Sequence, residues 1–197
     1  KDDGEKKNSV SFAKDLASLG DIFINEAFSA SHREHASIVG VPQFLPSFAG
    51  FLFKEEVREL GRAFRPTHPF LLALGGRKPI KLVLLARFLS KADSVLAGGV
   101  VANTILAGHK KSVGASVVED IDKRILKKLI RSRKILLPKD VVVEHQKQKR
   151  SILLEDIGQH DVIYDLGPET MKEVKKIVEE SKFVLWNGQL GFTEKGY

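Results

Sequence analysis

Two lysines and two glycines lie together in residues 75–81, whose sequence is Gly-Gly-Arg-Lys-Pro-Ile-Lys. The segment follows an apolar run and precedes a helical pattern, which predicts a strand-to-helix turn. Glycine lets a ligand approach the backbone, and the first turn of a helix offers unpaired N–H groups to an anion. Lys78 and Lys81 could then neutralise phosphate oxygens during transfer. An ordinary turn with exposed lysines fits this segment equally well, because the Walker and G-x-G-x-x-G patterns are absent.

Two other apolar runs also end in glycine or polar residues. Gly98 and Gly99 follow one of them, and the run 183–186 leads into Asn187, with Glu194 further along. Ligands of open α/β sheets bind in the crevice at the carboxyl ends of the strands. Three strands of this kind in one sheet favour a nucleotide site over an ordinary turn.

Arg33 is a separate candidate, in the segment His32-Arg33-Glu34-His35. An arginine just past a strand end suits a carboxylate or a phosphate, because its guanidinium donates two parallel hydrogen bonds. A structural ion pair of Arg33 with Glu26 or Glu34 is the alternative. The two histidines have no further ligand cluster to complete a metal site, so no metal-binding residue is predicted.

Continuous apolar segments alternate with helical patterns from His68 onward. Strands are predicted over residues 70–74, 94–97, 135–137, 162–165 and 183–186, and helices over 82–89, 123–134 and 169–181. Strands without a polar face belong to parallel sheets that helices cover on both sides. The chain is therefore predicted to be α/β, with a three-layer, Rossmann-like parallel-sheet domain.

The first part of the chain has a less regular pattern. It predicts a helix over 11–19 that Gly20 closes in the left-handed conformation, then a buried strand over 21–25. The prolines in 41–53 predict a loop, and 54–64 has helical period and charge. The helix over 54–64 would connect the end of one α/β domain to the start of the next.

Composition places the chain among soluble proteins. Of its 197 residues 43% are hydrophobic and 29% are charged, and there is no cysteine, which excludes disulfides and zinc–thiolate sites. No apolar run reaches the length of a membrane span, so we expect a cytoplasmic protein without a membrane partner.

The net charge of +7 is concentrated in residues 123–134. Apolar residues occupy one helical face there and bases the other, which favours the solvated surface of a core-packed helix. A nucleic-acid surface is less favoured, because no aromatic residues are interleaved with the bases.

Several motifs, in order along nearly the whole chain, together resemble the phosphoglycerate kinase family. They lie in the segments 19–28 (Leu-Gly-Asp-Ile-Phe-Ile-Asn-Glu-Ala-Phe), 31–40 (Ser-His-Arg-Glu-His-Ala-Ser-Ile-Val-Gly), 74–78 (Leu-Gly-Gly-Arg-Lys), 137–142 (Leu-Pro-Lys-Asp-Val-Val), 165–169 (Asp-Leu-Gly-Pro-Glu) and 186–188 (Trp-Asn-Gly). Each motif alone is modest, whereas their combination and spacing are specific.

The resemblance implies a two-domain kinase of glycolysis, which is a monomer when complete. It transfers a phosphoryl group between 1,3-bisphosphoglycerate and ADP with magnesium, giving 3-phosphoglycerate and ATP. Residues 1–53 would be the remnant of a substrate-binding domain, 54–67 a hinge helix and linker, and 68–197 an incomplete nucleotide-binding domain.

The resemblance also implies roles for individual residues. Arg33 and Lys81 would be catalytic: Arg33 would hold the phosphate of the substrate, and Lys81 would contact the nucleotide phosphates and the transferred group. Lys78 would assist Lys81, and Glu194 would reach the ribose hydroxyls. The nucleotide-binding set implied is Gly75, Gly76, Lys78, Lys81, Gly99, Asn187, Gly188 and Glu194.

The chain departs from the family pattern at several positions. One residue is missing between Lys78 and Lys81, and Val100 and Ile163 replace glycines where the adenine ring would pack. Nothing matches the early substrate-binding strands or the Gly-Gly-Gly-Asp segment that carries the metal-binding aspartate. We therefore expect a central fragment with little or no kinase activity alone. The alternative is a degenerate, non-catalytic relative that binds nucleotides or polyanions, with the basic helix as its surface.

Overall fold

The computed structural model describes residues 2–145 and 148–197. It divides into two compact units, Lys1–Phe64 and Arg65–Tyr197. In the first unit the helices are α1 (Asp3–Lys6), α2 (Val10–Ala17) and α3 (Phe51–Gly61), and the strands are β1 (Phe23–Asn25) and β2 (Ser47–Ala49). In the second unit the helices are α4 (Ile80–Phe88), α5 (Gly99–Gly108), α6 (Lys123–Ile130) and α7 (Pro168–Glu180), and the strands are β3 (Phe70–Leu74), β4 (Ser94–Ala97), β5 (Ile135–Leu136), β6 (Asp140–His145), β7 (Gln148–Leu153), β8 (Val162–Leu166) and β9 (Phe183–Asn187).

The first unit pairs β1 with β2 in a short parallel ladder, in the register Phe23 to Ser47. The prediction of a loop over 41–53 is wrong, since this segment forms β2 and the first turn of α3. The predicted burial of β1 is wrong too, because 59% of Ile24 is exposed. Gly20 is not left-handed either, because α2 already ends at Ala17. These elements depend on pairing between segments that are distant in the sequence, and local propensity does not predict such pairing.

Glu26 determines where α3 begins. Its carboxylate accepts hydrogen bonds from the backbone amides of Leu52 (3.4 Å) and Phe53 (2.9 Å). Gly50, the residue before the helix, has no side chain with which to cap it. The carboxylate of Glu26 therefore satisfies amides that a helix start otherwise leaves unpaired.

The second unit contains a four-stranded parallel sheet in the order β5-β4-β3-β9. Every residue of β3 is buried, as the continuous apolar run predicts. The apolar run 183–186 predicts a buried strand as well, which is wrong for β9, because it is an edge strand and 65% of Trp186 is exposed. The parallel α/β fold itself is confirmed.

Helices cover both faces of this sheet. On one face Phe70, Leu72 and Leu74 pack with apolar residues of α4, α5 and α6. On the other face Leu71 and Ala73 pack with Val174 of α7. This alternation produces the three layers and fixes the direction in which each strand end points.

A second sheet is antiparallel, with β6 between β7 and β8. The prediction that residues 162–165 extend the parallel sheet is wrong, because β8 pairs with β6 instead. The sequence pattern also does not predict α5. Residues 101–106 of α5 are all buried, so this helix lacks the polar face from which a helical period is recognised.

Candidate functional site

The carboxyl ends of three parallel strands meet at one edge of the sheet. Leu74 pairs in register with Ala97 of β4 and with Asn187 of β9. The amide of Gly75 donates to the Asn187 carbonyl at 3.1 Å, and the amide of Gly98 donates to the Leu74 carbonyl at 2.9 Å. The three glycine-containing turns predicted from the sequence therefore lie side by side.

Close backbone contacts explain the glycines in these turns. Gly76 and Gly99 have φ values of +94° and +56°, which other residues rarely adopt. A Cβ atom on Gly99 would lie 3.1 Å from the Gly76 nitrogen, and one on Gly98 would lie 2.6 Å from the Cα atom of Leu190. A Cβ atom on Gly75 would overlap the Gln189 carbonyl. The turns can pack together only without side chains at these positions.

Lys81 lies at the centre of this arrangement. Its ammonium group donates a hydrogen bond to the Gly75 carbonyl. Gly188, with φ +86°, lies so close that a Cβ atom there would overlap the Lys81 Nζ atom. Burial, followed by the neighbouring positive charge of Lys78, lowers the pKa of Lys81. An anion beside this ammonium group would restore a favourable environment for its charge.

A groove of about 730 Å³ opens beside this cluster. Four cationic side chains line it, and none of its lining residues is acidic. The lining residues are Gly76, Arg77, Lys78, Ile80, Lys81, Val83, Leu84, Arg87, Asn187, Gly188 and Gln189. The concentration of positive charge and exposed backbone suits an anionic ligand such as a phosphate.

Two helices also begin at this edge of the sheet. Neither α4, which begins at Ile80, nor α5, which begins at Gly99, has a side-chain hydrogen bond at its N-terminal cap. The first amides of a helix lack intrahelical partners, and the helix dipole favours negative charge at this end. Both features add to the positive potential that the lysines create.

The groove brings together five of the residues predicted to bind the nucleotide. These are Gly76, Lys78, Lys81, Asn187 and Gly188, while Gly75 and Gly99 lie in the adjoining turns. Glu194 does not line the groove. It lies in a short 3-10 helix, Thr193–Lys195, next to Phe192, which stacks on Tyr164 with the ring centroids 5.6 Å apart.

Arg33 lies in the first unit, in an exposed turn in which its amide donates to the Ala30 carbonyl at 3.0 Å. Within the described residues its guanidinium has no acidic partner in hydrogen-bond or ion-pair distance. Glu26, one of the partners considered for Arg33, binds the amides that begin α3 instead.

Sequence reasoning did not assign the two arginines of the groove. Arg77 lies within the glycine–lysine turn itself, so its position was a sufficient signal. Arg87 lies seven residues after Ile80 on α4, a spacing that returns to the same helical face. This signal was available only once the start of α4 was known.

The described ranges 2–145 and 148–197 contain no group of three His, Asp or Glu side chains that could hold a metal ion. No helix in these ranges is long and apolar enough to cross a membrane.

The family model described as phosphoglycerate kinase matches residues 1–197. The phosphoglycerate kinase of Coprothermobacter proteolyticus is 42% identical over 96% of this chain and 51% of its own length. That of Herpetosiphon aurantiacus is 41% identical over 98% of this chain and 52% of its own length. The chain thus spans about half the length of the curated relatives that it matches.

Solved structures have the same fold. The phosphoglycerate kinase of Coxiella burnetii matches with a TM-score of 0.79 and 30% identity, over 98% of this chain and 52% of that structure. The enzyme of Pyrococcus horikoshii matches with a TM-score of 0.80 over 95% of this chain and 52% of that structure, at 24% identity, which supports the fold alone.

Proposed function

The chain belongs to the phosphoglycerate kinase family, and we propose that it takes part in reversible phosphoryl transfer between 1,3-bisphosphoglycerate and ADP. The products would be 3-phosphoglycerate and ATP, in glycolysis and gluconeogenesis. We further propose a cytoplasmic location and, for the complete protein, a monomer.

One observation carries this proposal: the ammonium group of Lys81 is held between the Gly75 carbonyl and Gly188, beside a groove without acidic residues. Phosphoryl transfer requires little covalent chemistry from the protein. It depends on positioning the reactants and on neutralising charge on the transferred group. An ammonium group that is hydrogen-bonded beside the start of α4 suits the second requirement.

The proposed roles are those that the family implies for these residues, and the positions of Lys81, Lys78 and Asn187 in the groove support them. Lys81 would neutralise charge on the transferred phosphoryl group, and Lys78, which is exposed at the same turn, would bind another nucleotide phosphate. Asn187 would donate from its amide to the nucleotide. Glu194 would accept hydrogen bonds from the ribose hydroxyls, since a carboxylate binds two adjacent hydroxyl groups well.

The substrate side of the reaction is assigned to the first part of the chain. Arg33 would bind the phosphate of phosphoglycerate, because its guanidinium is exposed and has no acidic partner within the described residues. The corresponding division is 1–53 for substrate binding, 54–67 for the hinge and linker, and 68–197 for nucleotide binding.

Magnesium is the family's metal, and when bound it would neutralise charge on the nucleotide phosphates. The acidic residues within 2–145 and 148–197 form no cluster suited to it. No step of the proposed reaction is therefore assigned to a metal ligand of this chain.

Calorimetric titration of the chain with ADP tests the nucleotide site. We expect a dissociation constant in the micromolar range, as is usual for enzyme substrates. Lys81→Ala and Glu194→Ala should each weaken binding strongly. Lys175→Ala, which removes an exposed lysine of α7, is the matched control and should bind as the unmodified chain does. Equal binding by Lys81→Ala and the control would refute the proposed role of Lys81.

A coupled assay with ATP and 3-phosphoglycerate tests the activity of the chain itself. We expect little or no turnover, because no metal ligands are assigned within the described part of the chain. Turnover at an ordinary kinase rate, roughly 1–100 per second, would contradict this expectation.

The basic helix α6 does not favour a second function. Lys128 donates to the Ala86 carbonyl, Lys134 donates to the carbonyls of Leu89 and Ala92, and Arg124 pairs with Asp122. Two bases of α6 and Lys134, which follows the helix, therefore have partners within the chain. Salt-sensitive polyanion binding in the absence of nucleotide binding would support the alternative of a non-catalytic relative.

A further inference from the structure

The three cationic side chains of the glycine–lysine turn lie in different environments. The ammonium group of Lys81 is half-buried and donates to the Gly75 carbonyl, whereas Arg77 and Lys78 are exposed. All three line the same groove. Lys81 is therefore the inner cation of the site, and Arg77 and Lys78 form its outer rim.

The start of α4 explains why Lys81 lies inside. Because α4 begins at Ile80, Lys81 is the second residue of this helix. Its side chain reaches back to Gly75, as helical side chains point towards the N-terminal end. The hydrogen bond to the carbonyl uses one of the three donors of the ammonium group. The Nζ atom also lies near both glycines, since a Cβ atom on Gly76 would be 3.0 Å from it and one on Gly188 would overlap it.

The side chain of Arg77 is exposed at the groove. It directly follows Gly76, whose positive φ turns the chain at the groove. Within residues 2–145 and 148–197 no carboxylate or carbonyl group accepts a hydrogen bond from its guanidinium. The charge of Arg77 is thus exposed, without an acidic partner and in the same groove as Lys78 and Lys81, an arrangement that attracts an anion.

We propose that Arg77 binds the polyphosphate chain of the nucleotide at the outer rim of the groove, as a specificity residue for the number of phosphates. A guanidinium donates two parallel hydrogen bonds to the oxygens of one phosphate group, or bridges two groups. Lys81 binds the group nearest the sheet, and Arg77 and Lys78 bind those further out. This inference rests on the proposed nucleotide site and deepens it.

The test is a calorimetric titration of the whole chain with adenosine, AMP, ADP and ATP. Arg77→Ala removes the guanidinium group, and Arg77→Lys keeps the positive charge without the two parallel hydrogen-bond donors. Arg131→Ala is the matched control, since Arg131 is an exposed arginine directly after α6, outside this groove. The melting temperature of each variant is measured first, and it should not change because Arg77 is exposed.

We expect Arg77→Ala to weaken the binding of ADP and of ATP about tenfold or more, which is the usual effect of losing a hydrogen bond to a charged group. Adenosine binding should not change, and AMP should be affected less than ADP. Arg77→Lys should recover part of the loss, and Arg131→Ala should behave as the unmodified chain.

Three results would overturn the inference. If Arg77→Ala binds ADP and ATP as the Arg131→Ala control does, while Lys81→Ala loses binding, Arg77 has no role and the nucleotide site stands. If Arg77→Ala weakens the binding of adenosine as much as that of ATP, Arg77 does not recognise phosphate. If the unmodified chain binds none of the four ligands, the proposed nucleotide site fails and the inference fails with it.

Discussion

The carboxylate of Asp140 accepts hydrogen bonds from the backbone amide of Thr170 at 2.8 Å and from its hydroxyl group at 2.7 Å. The same carboxylate accepts from the amide of Glu169 at 3.0 Å. Asp140 begins β6, and the two amides belong to the first turn of α7. A buried side chain of one element therefore caps the helix of another. A Cβ atom on Gly167 would overlap this carboxylate, which explains the glycine before the helix.

Replacing Asp140 should destabilise the second unit. Asp140→Ala leaves two amides of α7 without their acceptor, while the Thr170 hydroxyl keeps its hydrogen bond to the backbone carbonyl of residue 140. We expect the free energy of unfolding to fall by about 2–3 kcal/mol. Asp140→Asn keeps one acceptor oxygen and should cost less. Urea denaturation of the three proteins measures the difference. Asp122→Ala, at the exposed cap of α6, is the control and should cost less than Asp140→Ala.

The same carboxylate should make stability depend on acid pH. Burial acts to raise the pKa of Asp140, but the hydrogen bonds from Thr170, Glu169 and Ser151 outweigh it and lower the pKa below the usual 3.8. As pH falls, this carboxylate therefore binds a proton at a higher pH in the unfolded chain than in the folded chain. This contribution is complete above the usual pKa and is lost as pH falls through the folded pKa. Asp140→Asn should flatten this part of a stability–pH curve, and an unchanged slope would contradict the assignment.

Gly188→Ala should disrupt the close contact between the end of β9 and the Lys81 side chain. A Cβ atom there would overlap the Lys81 ammonium group and lie 2.5 Å from the Gly75 carbonyl, at a φ of +86°. We expect a loss of about 1–2 kcal/mol in stability from the backbone conformation, together with weaker ADP binding. Gly61→Ala is the control, because nothing lies within 4 Å of its added methyl group. This helical substitution should stabilise α3 by about 0.5–1 kcal/mol. Equal ADP affinity in both variants would argue against the contact with Lys81.

The sequence predicted the central part of the fold well, because the signals there are local. Strands β3 and β4 are continuous apolar runs that end at glycine, and the observed strands have the predicted bounds. The turn at 75–81 was recognisable from its glycines and lysines. That β9 ends at the same carboxyl edge as β3 was also predicted, whereas its place directly beside β3 in the sheet was not.

The remaining features depend on long-range contacts that a local pattern does not record. Strand β8 was assigned to the wrong sheet, because an apolar run does not specify its partner. Helix α5 was not predicted, because burial on all sides removed its period. The predicted nucleotide set also separated, with Lys81 in the groove and Glu194 outside it. The number of residues between two positions does not determine their distance in space when strands and helices lie between them.

Binding of a phosphate beside Lys81 should be coupled to proton uptake. Because burial and Lys78 lower the pKa of Lys81 below 10.5, the folded chain loses this proton at a lower pH than the unfolded chain. Between the two pKa values the unfolded state holds more protons, so stability should rise with pH in that window.

An anion raises the pKa of Lys81 again, so ADP binding in the same pH window should take up a fraction of a proton. Titrations in two buffers with different ionisation enthalpies measure the uptake. Lys81→Arg, which stays charged, should abolish it, and an unchanged uptake would assign the proton to another group.

Lys134 should stabilise the C-terminal end of α4 through its charge and hydrogen bonds. Its ammonium group donates to the Ala92 carbonyl at 2.7 Å and to the Leu89 carbonyl at 3.0 Å, where the helix dipole concentrates negative charge. Lys134→Met keeps the aliphatic stem but removes both bonds, and we expect a loss of about 1 kcal/mol. Arg133→Met is the matched control, because Arg133 is exposed and its side chain has no hydrogen-bond partner within the described ranges 2–145 and 148–197. Thermal and urea unfolding should therefore distinguish the two variants. Equal stability would mean that the bases of this segment serve the surface alone, and the polyanion alternative would then regain support.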